Sequence, residues 1–128
     1  MMTVITHVTL HEGAEPEWDG AMEERLAGAR ARDGWVRGEL LMPLEAMNKR
    51  VIVGTWRSRA DWEAWHQDPA FTATATRLDA LQAQMSDPQW HEVIADVTSH
   101  RPLRSIQAAA GKSWETTTRL IRRITKRG

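Results

Sequence analysis

Residues 55–71, with the sequence TWRSRADWEAWHQDPAF, restrict the fold of this chain more than any other stretch. Ser58 followed by Asp61 is typical of a helix start, because the serine oxygen accepts an unpaired amide N–H and the acid suits the positive end of the helix dipole. A residue before proline avoids the helical region, so this helix is expected to end at Asp68. Pro69 suits the first position of a second helix. The stretch therefore predicts two short helices in direct succession.

The same stretch concentrates aromatic side chains. Trp62 and Trp65 fall on one face of the first predicted helix, and Phe71 lies one turn into the second, near both. Together with Trp56 at a strand end and Ser58, this order resembles the signature helix of the antibiotic biosynthesis monooxygenase superfamily. That superfamily includes quinone-forming monooxygenases of polyketide pathways and a haem-degrading branch.

The remaining segments have two periodicities. Alternating segments rich in β-branched residues predict strands, and apolar residues three and four apart predict helices. The predicted strands cover residues 3–12, 35–42, 49–56 and 90–97, and the predicted helices follow residues 14, 58 and 68, the last reaching Met85. With right-handed crossovers, the order βαββααβ predicts a ferredoxin-like fold of class α+β, a four-stranded antiparallel sheet with helices on one face.

The first predicted helix has one apolar face. Trp18, Met22, Leu26 and Ala29 recur at spacings of three and four, and Gly34 is expected at the C′ position. The second face of the sheet also carries apolar residues and has no helix to cover it, which is typical of a partner face. The resemblance implies that this face pairs with a second copy, giving a homodimer in the form of a dimeric α/β barrel.

Composition excludes several classes of protein. The chain has no cysteine, so disulfides, thiolate metal sites and cysteine nucleophiles are all excluded. No run of about 18 apolar residues is present, and the N-terminal residues lack the pattern of a secretory signal. We therefore expect a cytoplasmic protein.

Charge divides the chain into two parts. Residues 1–100 carry 9 Lys/Arg and 16 Asp/Glu, a net charge of −7, whereas residues 101–128 carry 8 Lys/Arg and 1 acid, a net charge of +7. We predict one domain over residues 1–100 and a basic amphipathic C-terminal arm over residues 101–128. The arm is expected to contact its own acidic domain, the partner subunit or an anionic surface, because its charge is opposite to theirs. Nucleic acid is not the expected partner, because one short basic cluster is a weak footprint for it.

Motifs for metal, phosphate or hydrolytic chemistry are missing. His7 and His11 share a strand face but lie roughly 13 Å apart at about 3.3 Å per residue, too far for one ion. His7 and His91 could lie on neighbouring strands of the predicted sheet, but no third ligand is evident, so we predict no metal site. The sequence contains no Gly-x-Ser-x-Gly elbow, phosphate-binding glycine loop or dinucleotide fingerprint.

The resemblance allows a haem-degrading activity to be tested by residue. The pocket of that branch has an asparagine on the first strand, a tryptophan on the helix and an axial histidine four residues after the phenylalanine. The matching positions here are Thr6, Trp65 and Ala75, so only the tryptophan is present. The expected cofactor is therefore none, and haem held by His66 or His7 in another pose is the alternative.

The cofactor-free branch requires no metal ligand and fewer specific side chains. Its substrates are electron-rich phenols and anthrones, whose carbanions react with oxygen, so the protein binds the aromatic, stabilises the anion and excludes water. The resemblance and the expected strand positions give Trp65, His7, Thr6 and Arg37 as candidate catalytic residues, and Trp62, Phe71 and His66 as candidate substrate-binding residues.

Two interpretations of these residues stay open. Trp62, Trp65 and Phe71 either wall a slot for a small aromatic ligand or simply pack in the core. The expected activity is monooxygenation of a phenol-like or anthrone-like substrate. The alternative is a ligand-binding or regulatory protein of the same fold without turnover.

Overall fold

The computed structural model describes residues 1–98 of the 128-residue chain. The elements are β1 (Met2–Thr9), α1 (Glu15–Ala29), β2 (Trp35–Leu41), β3 (Lys49–Trp56), α2 (Arg59–His66), α3 (Pro69–Ala80) and β4 (Asp87–Glu92). All strands pair antiparallel, in the order β2-β3-β1-β4. The predicted βαββααβ order and the ferredoxin-like sheet are confirmed.

The first compact unit of the chain spans Met1–Ile94. Residues 95–98 form neither helix nor strand. The predicted arm over residues 101–128 lies outside the described residues, so it stays a prediction. Within residues 1–98 no helix is long and apolar enough to cross a membrane.

Side chains of the central strand β1 alternate between the two faces of the sheet. Val4 and Val8 are buried, and Val8 packs in a core cluster with side chains from the helices, whereas His7 on the other face is exposed. Because side chains alternate along a strand, Thr6 shares the helix-covered face with Val4 and Val8. This alternation decides which side chains of the sheet reach the space beneath the helices.

The predicted helix starts in residues 55–71 are confirmed. Ser58 caps α2, because its Oγ accepts the backbone N–H of Asp61 at 3.2 Å. Asp68 has an extended backbone and caps α3, accepting the N–H of Ala70 at 2.8 Å, with Pro69 in the first turn. Local capping chemistry therefore determines the residue at which each of the two helices begins.

The C-terminal part of the domain differs from the prediction. Helix α3 ends at Ala80 instead of continuing to Met85, because His11 N donates to Leu81 O at 2.9 Å and Ala83 N donates to Thr9 O at 2.8 Å. These bonds to the end of β1 redirect the chain. Strand β4 then begins three residues earlier than predicted and ends five residues earlier, at Asp87–Glu92.

Pro88 explains why the sequence pattern misplaces this strand. A proline removes a donor from the ladder and normally argues against a strand. In this sheet β4 is an edge strand, where the missing N–H is tolerated, and Pro88 pairs with Thr6 of β1. Beyond the strand Ile94 and Val97 are exposed.

Gly34 has a different role from the predicted one. Helix α1 ends at Ala29 with Arg30 as its C-cap, so Gly34 is too far along the chain to be its C′ residue. Its φ of +85° instead directs the chain into β2. A Cβ at this position would collide with the side chain of Asp61, so the glycine also allows α2 to approach closely.

The interior consists of two apolar clusters. One joins β1 to α1 and α3 through Val8, Trp18, Met22 and Leu78 together with other aliphatic side chains. The second is built from Trp56, Trp65 and Ala29, with more aromatic side chains packed against it. The predicted buried face of α1 is confirmed, since Trp18, Met22 and Ala29 are all buried.

Candidate functional site

A cavity of about 300 Å³ lies between the helix-covered face of the sheet and the three helices, and side chains from both apolar clusters line it. Six of the lining side chains are aromatic: Trp18, Trp35, Trp56, Trp62, Trp65 and Phe71. A volume of this size is at the lower end of the range for small-ligand sites. The cavity therefore suits a small, flat, apolar molecule.

The aromatic wall is held by contacts between its own rings. Trp65 stacks on Trp56 with 6.5 Å between ring centroids and meets the edge of Phe71 at 5.7 Å. Trp35 meets Trp56 edge-on at 5.2 Å. Such offset and T-shaped contacts are the preferred arrangements of aromatic quadrupoles, so they fix the orientation of the wall.

His66 is placed between two of these rings. Its imidazole centroid lies 3.8 Å from that of Trp62 and 4.1 Å from that of Phe71. The Nδ1 atom is 2.8 Å from the carbonyl oxygen of Trp62, and because a carbonyl only accepts, this contact assigns the proton of the neutral ring to Nδ1. The lone pair of the neutral ring is then on Nε2.

The charge state of His66 follows from its surroundings. Burial lowers the pKa of its imidazole, and the positive charge of Arg25 lowers it further, against the opposing effect of the bond to the Trp62 carbonyl. The neutral ring is therefore the stable form at pH 7, and it can accept a proton through Nε2.

Among residues 1–98, Arg25 is the cation that lines the cavity, and it was not one of the predicted site residues. Its Nε donates to Thr74 Oγ1 at 2.8 Å, and its Nη2 donates to the carbonyl of Phe71 at 3.3 Å. Burial lowers the pKa of this arginine to about 10, opposed by the charge of Asp79. Among the described residues its hydrogen-bond acceptors are all neutral, so the guanidinium remains charged without a directly bonded carboxylate.

A sequence signal for Arg25 did exist. It lies three residues after Met22 and four before Ala29, so it belongs to the predicted buried face of α1 and not to the glutamate-rich side. Three further polar residues of the cavity, Asp79, Gln82 and Ser86, were also missed. Gln82 accepts the indole N–H of Trp18 at 3.0 Å.

The structure brings most of the predicted site residues together. The cavity is lined by five of the seven: Thr6, Trp62, Trp65, His66 and Phe71. Trp56, which the sequence analysis treated only as a strand end, also lines it.

His7 and Arg37 do not join this group. Both are exposed, and neither lines the cavity. His7 follows Thr6 on β1 and so points to the opposite face of the sheet. Arg37 precedes Gly38, which pairs with the cavity-lining Gly54, so it also lies on the opposite face.

The positions that match the haem-degrading pattern also lie at the cavity. Ala75, at the position of the axial histidine, lines it with a methyl group that cannot bind a metal. Within residues 1–98 no three histidine or acidic side chains are grouped as metal ligands would be. These residues do not fit the haem-degrading pattern.

Comparison with solved structures shows the same fold. SnoaB from Streptomyces nogalater, described as a cofactor-independent oxygenase, is 23% identical with a TM-score of 0.69, and the match covers 77% of this chain and 97% of SnoaB. Rv0793 from Mycobacterium tuberculosis is 14% identical with a TM-score of 0.69, over 76% and 98% of the two chains. PA3566 from Pseudomonas aeruginosa is 18% identical with a TM-score of 0.67, over 73% and 94%.

Comparison of the sequence with curated proteins gives no match. The sequence pattern of the family described as antibiotic biosynthesis monooxygenase matches residues 1–77. That range is more than half of the chain and includes β1, α1, β2, β3, α2 and most of α3. This chain therefore belongs to the antibiotic biosynthesis monooxygenase family.

Proposed function

We propose that this protein is a cofactor-independent monooxygenase that acts on a small phenol-like or anthrone-like aromatic. The observation that carries the proposal is the charged guanidinium of Arg25 beside an aromatic cavity, hydrogen-bonded within residues 1–98 to neutral oxygens alone. A cation in this position stabilises a negative charge that develops on a bound substrate, because a preorganised charge in a water-poor site interacts strongly.

The proposed reaction has two parts. A base removes a proton from an acidic C–H group of the substrate, and the resulting carbanion, whose charge spreads onto the carbonyl oxygen, transfers electrons to O₂. A C–O bond forms and the O–O bond breaks, so that one oxygen atom becomes a carbonyl of the product. The other leaves as water with the two hydrogens of the substrate methylene.

The side chains have distinct roles in this scheme. His66 accepts the proton at Nε2, because its Nδ1 is already bonded to the Trp62 carbonyl. Arg25 stabilises the enolate-like oxygen, and Trp65 donates its indole N–H to a substrate oxygen. The surrounding rings keep bulk water away from the carbanion.

Oxygen uptake with anthrone tests the proposal. We expect the wild-type protein, stripped of metal, to exceed the spontaneous rate. Arg25→Gln is expected to lower kcat by about 10²- to 10³-fold, the usual effect of removing one preorganised donor from an oxyanion site. Arg77→Gln is the matched control, because Arg77 is an exposed arginine on α3 that pairs with Glu24.

Further variants separate the remaining roles. Trp65→Phe keeps a ring but loses the donor, and His66→Gln loses the base; both are expected to slow uptake. If anthrone binds and uptake stays at the spontaneous rate, the oxygenase proposal is wrong and a ligand-binding protein without turnover is the better interpretation.

We also propose that the protein is a homodimer. Ile5, Val51 and Val53 lie on the sheet face opposite the cavity, where no helix of residues 1–98 packs. Light scattering is expected to give twice the chain mass, and Val53→Glu is expected to reduce it. A monomeric wild-type mass would contradict this assembly.

A further inference from the structure

The indole N–H of Trp56 is a buried donor that lacks an acceptor in the described part of the chain. Trp56 is only 2% exposed and lines the cavity. No backbone or side-chain oxygen of residues 1–98 accepts a hydrogen bond from its Nε1. Buried N–H groups in folded proteins are almost always hydrogen-bonded, so this donor calls for an acceptor that the protein itself does not provide.

Trp18 gives the internal comparison. It is fully buried and lines the same cavity, yet its Nε1 donates to Gln82 Oε1 at 3.0 Å. The fold therefore supplies an acceptor for the indole of Trp18, whereas the buried indoles of Trp56 and Trp65 have none among residues 1–98.

The position of the Trp56 donor is defined by Gly54. A Cβ placed on Gly54 would lie 3.7 Å from Trp56 Nε1, and Gly54 itself lines the cavity. The donor therefore lies over a part of the sheet where the glycine leaves the space of a side chain open. Contacts with Trp35 and Trp65 hold the indole in this orientation.

We infer that the N–H of Trp56 binds an oxygen atom of the ligand, and that the cavity therefore selects planar aromatic ketones or quinones over aromatics that lack a carbonyl acceptor. This inference rests on the proposed function only in placing the ligand in this cavity, and it does not require turnover. Binding of such an oxygen removes the free-energy penalty of the unpaired buried donor. The carbonyl therefore contributes affinity as well as orientation.

NMR of the full chain labelled with ¹⁵N-tryptophan tests this directly. The probes are 1,4-naphthoquinone and naphthalene, which share a ring shape and differ in the carbonyl oxygens. Because the chain has no cysteine, the thiol reactions of quinones do not interfere. The Trp56 Hε1 signal, assigned by its loss in Trp56→Phe and by its proximity to the Hα protons of Gly54, is expected to move downfield with the quinone alone.

The Trp18 Hε1 signal serves as the control in the same spectrum and is expected to stay in place. Trp56→Phe is expected to weaken quinone binding about five- to tenfold more than naphthalene binding, the equivalent of one net hydrogen bond. Quinone binding that leaves the Trp56 signal in place, or that is equally tight in Trp56→Phe, would overturn the inference. The wild-type spectrum decides the matter if the variant does not fold.

The two proposals fail in different ways. A Trp56 shift with the quinone but no oxygen uptake with anthrone would support the donor role and contradict the oxygenase. Uptake that depends on Arg25, without any Trp56 shift, would support the oxygenase and overturn the donor role. Binding of neither probe would contradict the ligand selection inferred from Trp56.

Discussion

The guanidinium carbon of Arg25 lies 3.8 Å from the centre of the Phe71 ring, and its Nη2 donates to the backbone carbonyl of the same residue at 3.3 Å. Phe71 thus holds the cation of the cavity twice, through its ring and through its main chain. Thr74 completes the arrangement, because its Oγ1 accepts from Arg25 Nε and donates to the same carbonyl. One turn of α3 therefore positions a charge carried by α1.

The ring of Phe71 is expected to contribute measurably to this arrangement. Phe71→Leu removes the cation–π contact and keeps the backbone acceptor. A double-mutant cycle with Arg25→Met is expected to give a coupling free energy of about 1 kcal/mol, as for a partly desolvated cation over an aromatic face. Urea unfolding of the four proteins measures it. Additive effects of the two changes would show that the ring does not hold the guanidinium.

Filling the cavity from α3 is expected to block ligand binding without disturbing the fold. Ala75 lines the cavity, so Ala75→Leu inserts bulk into the space that a ligand would use. Ala73 is exposed on the same helix, which makes Ala73→Leu the matched control. Titration with 1,4-naphthoquinone, followed by NMR, is expected to show at least tenfold weaker binding in the first variant alone. Equal affinity in both variants would place the ligand elsewhere.

Gly34 is expected to be the glycine that tolerates substitution least. Gly34→Ala places a Cβ at a φ of +85° and against Asp61, and we expect a loss of about 1–3 kcal/mol in unfolding free energy. Gly20→Ala is the control, because it lies within α1 with open space around it and is expected to gain up to about 1 kcal/mol. Urea unfolding compares them, and a neutral Gly34→Ala would contradict the close approach of α2.

Acid is expected to destabilise the wild-type protein through His66. The imidazole has a lowered pKa when folded, so below about pH 6.5 the unfolded chain binds a proton that the folded chain does not yet bind. The contribution of His66 is complete above that pH and is lost as the pH falls towards the folded pKa. The difference in unfolding free energy between wild type and His66→Gln is therefore expected to fall between pH 7 and pH 5. A difference that grows on acidification would contradict burial of the neutral ring.

Several parts of the fold could be predicted from the sequence because their causes are local. The caps at Ser58 and Asp68 depend on groups two or three residues away, and both are present. The alternation of β1 and the apolar face of α1 are properties of single elements, and both predict burial correctly. The ring cluster of Trp62, Trp65 and Phe71 follows from the same short-range spacing.

Other parts were decided by contacts between residues far apart in the chain. The end of α3 depends on two hydrogen bonds, from His11 N to Leu81 O and from Ala83 N to Thr9 O, which no local pattern reveals. Thr6 and His7 are neighbours in sequence, and only packing of the helices on one side of the sheet puts Thr6 at the cavity and His7 outside it.

Arg25 shows the same division most clearly. Its spacing in α1 assigns it to the buried face, but a buried arginine requires acceptors, and these come from Phe71 and Thr74, 46 and 49 residues later. Sequence by itself determined the elements, their order and the aromatic character of the interior. Tertiary structure decided which polar groups are buried in that interior. The free energy of burying a charge or an indole N–H depends on partners that only the folded chain brings together.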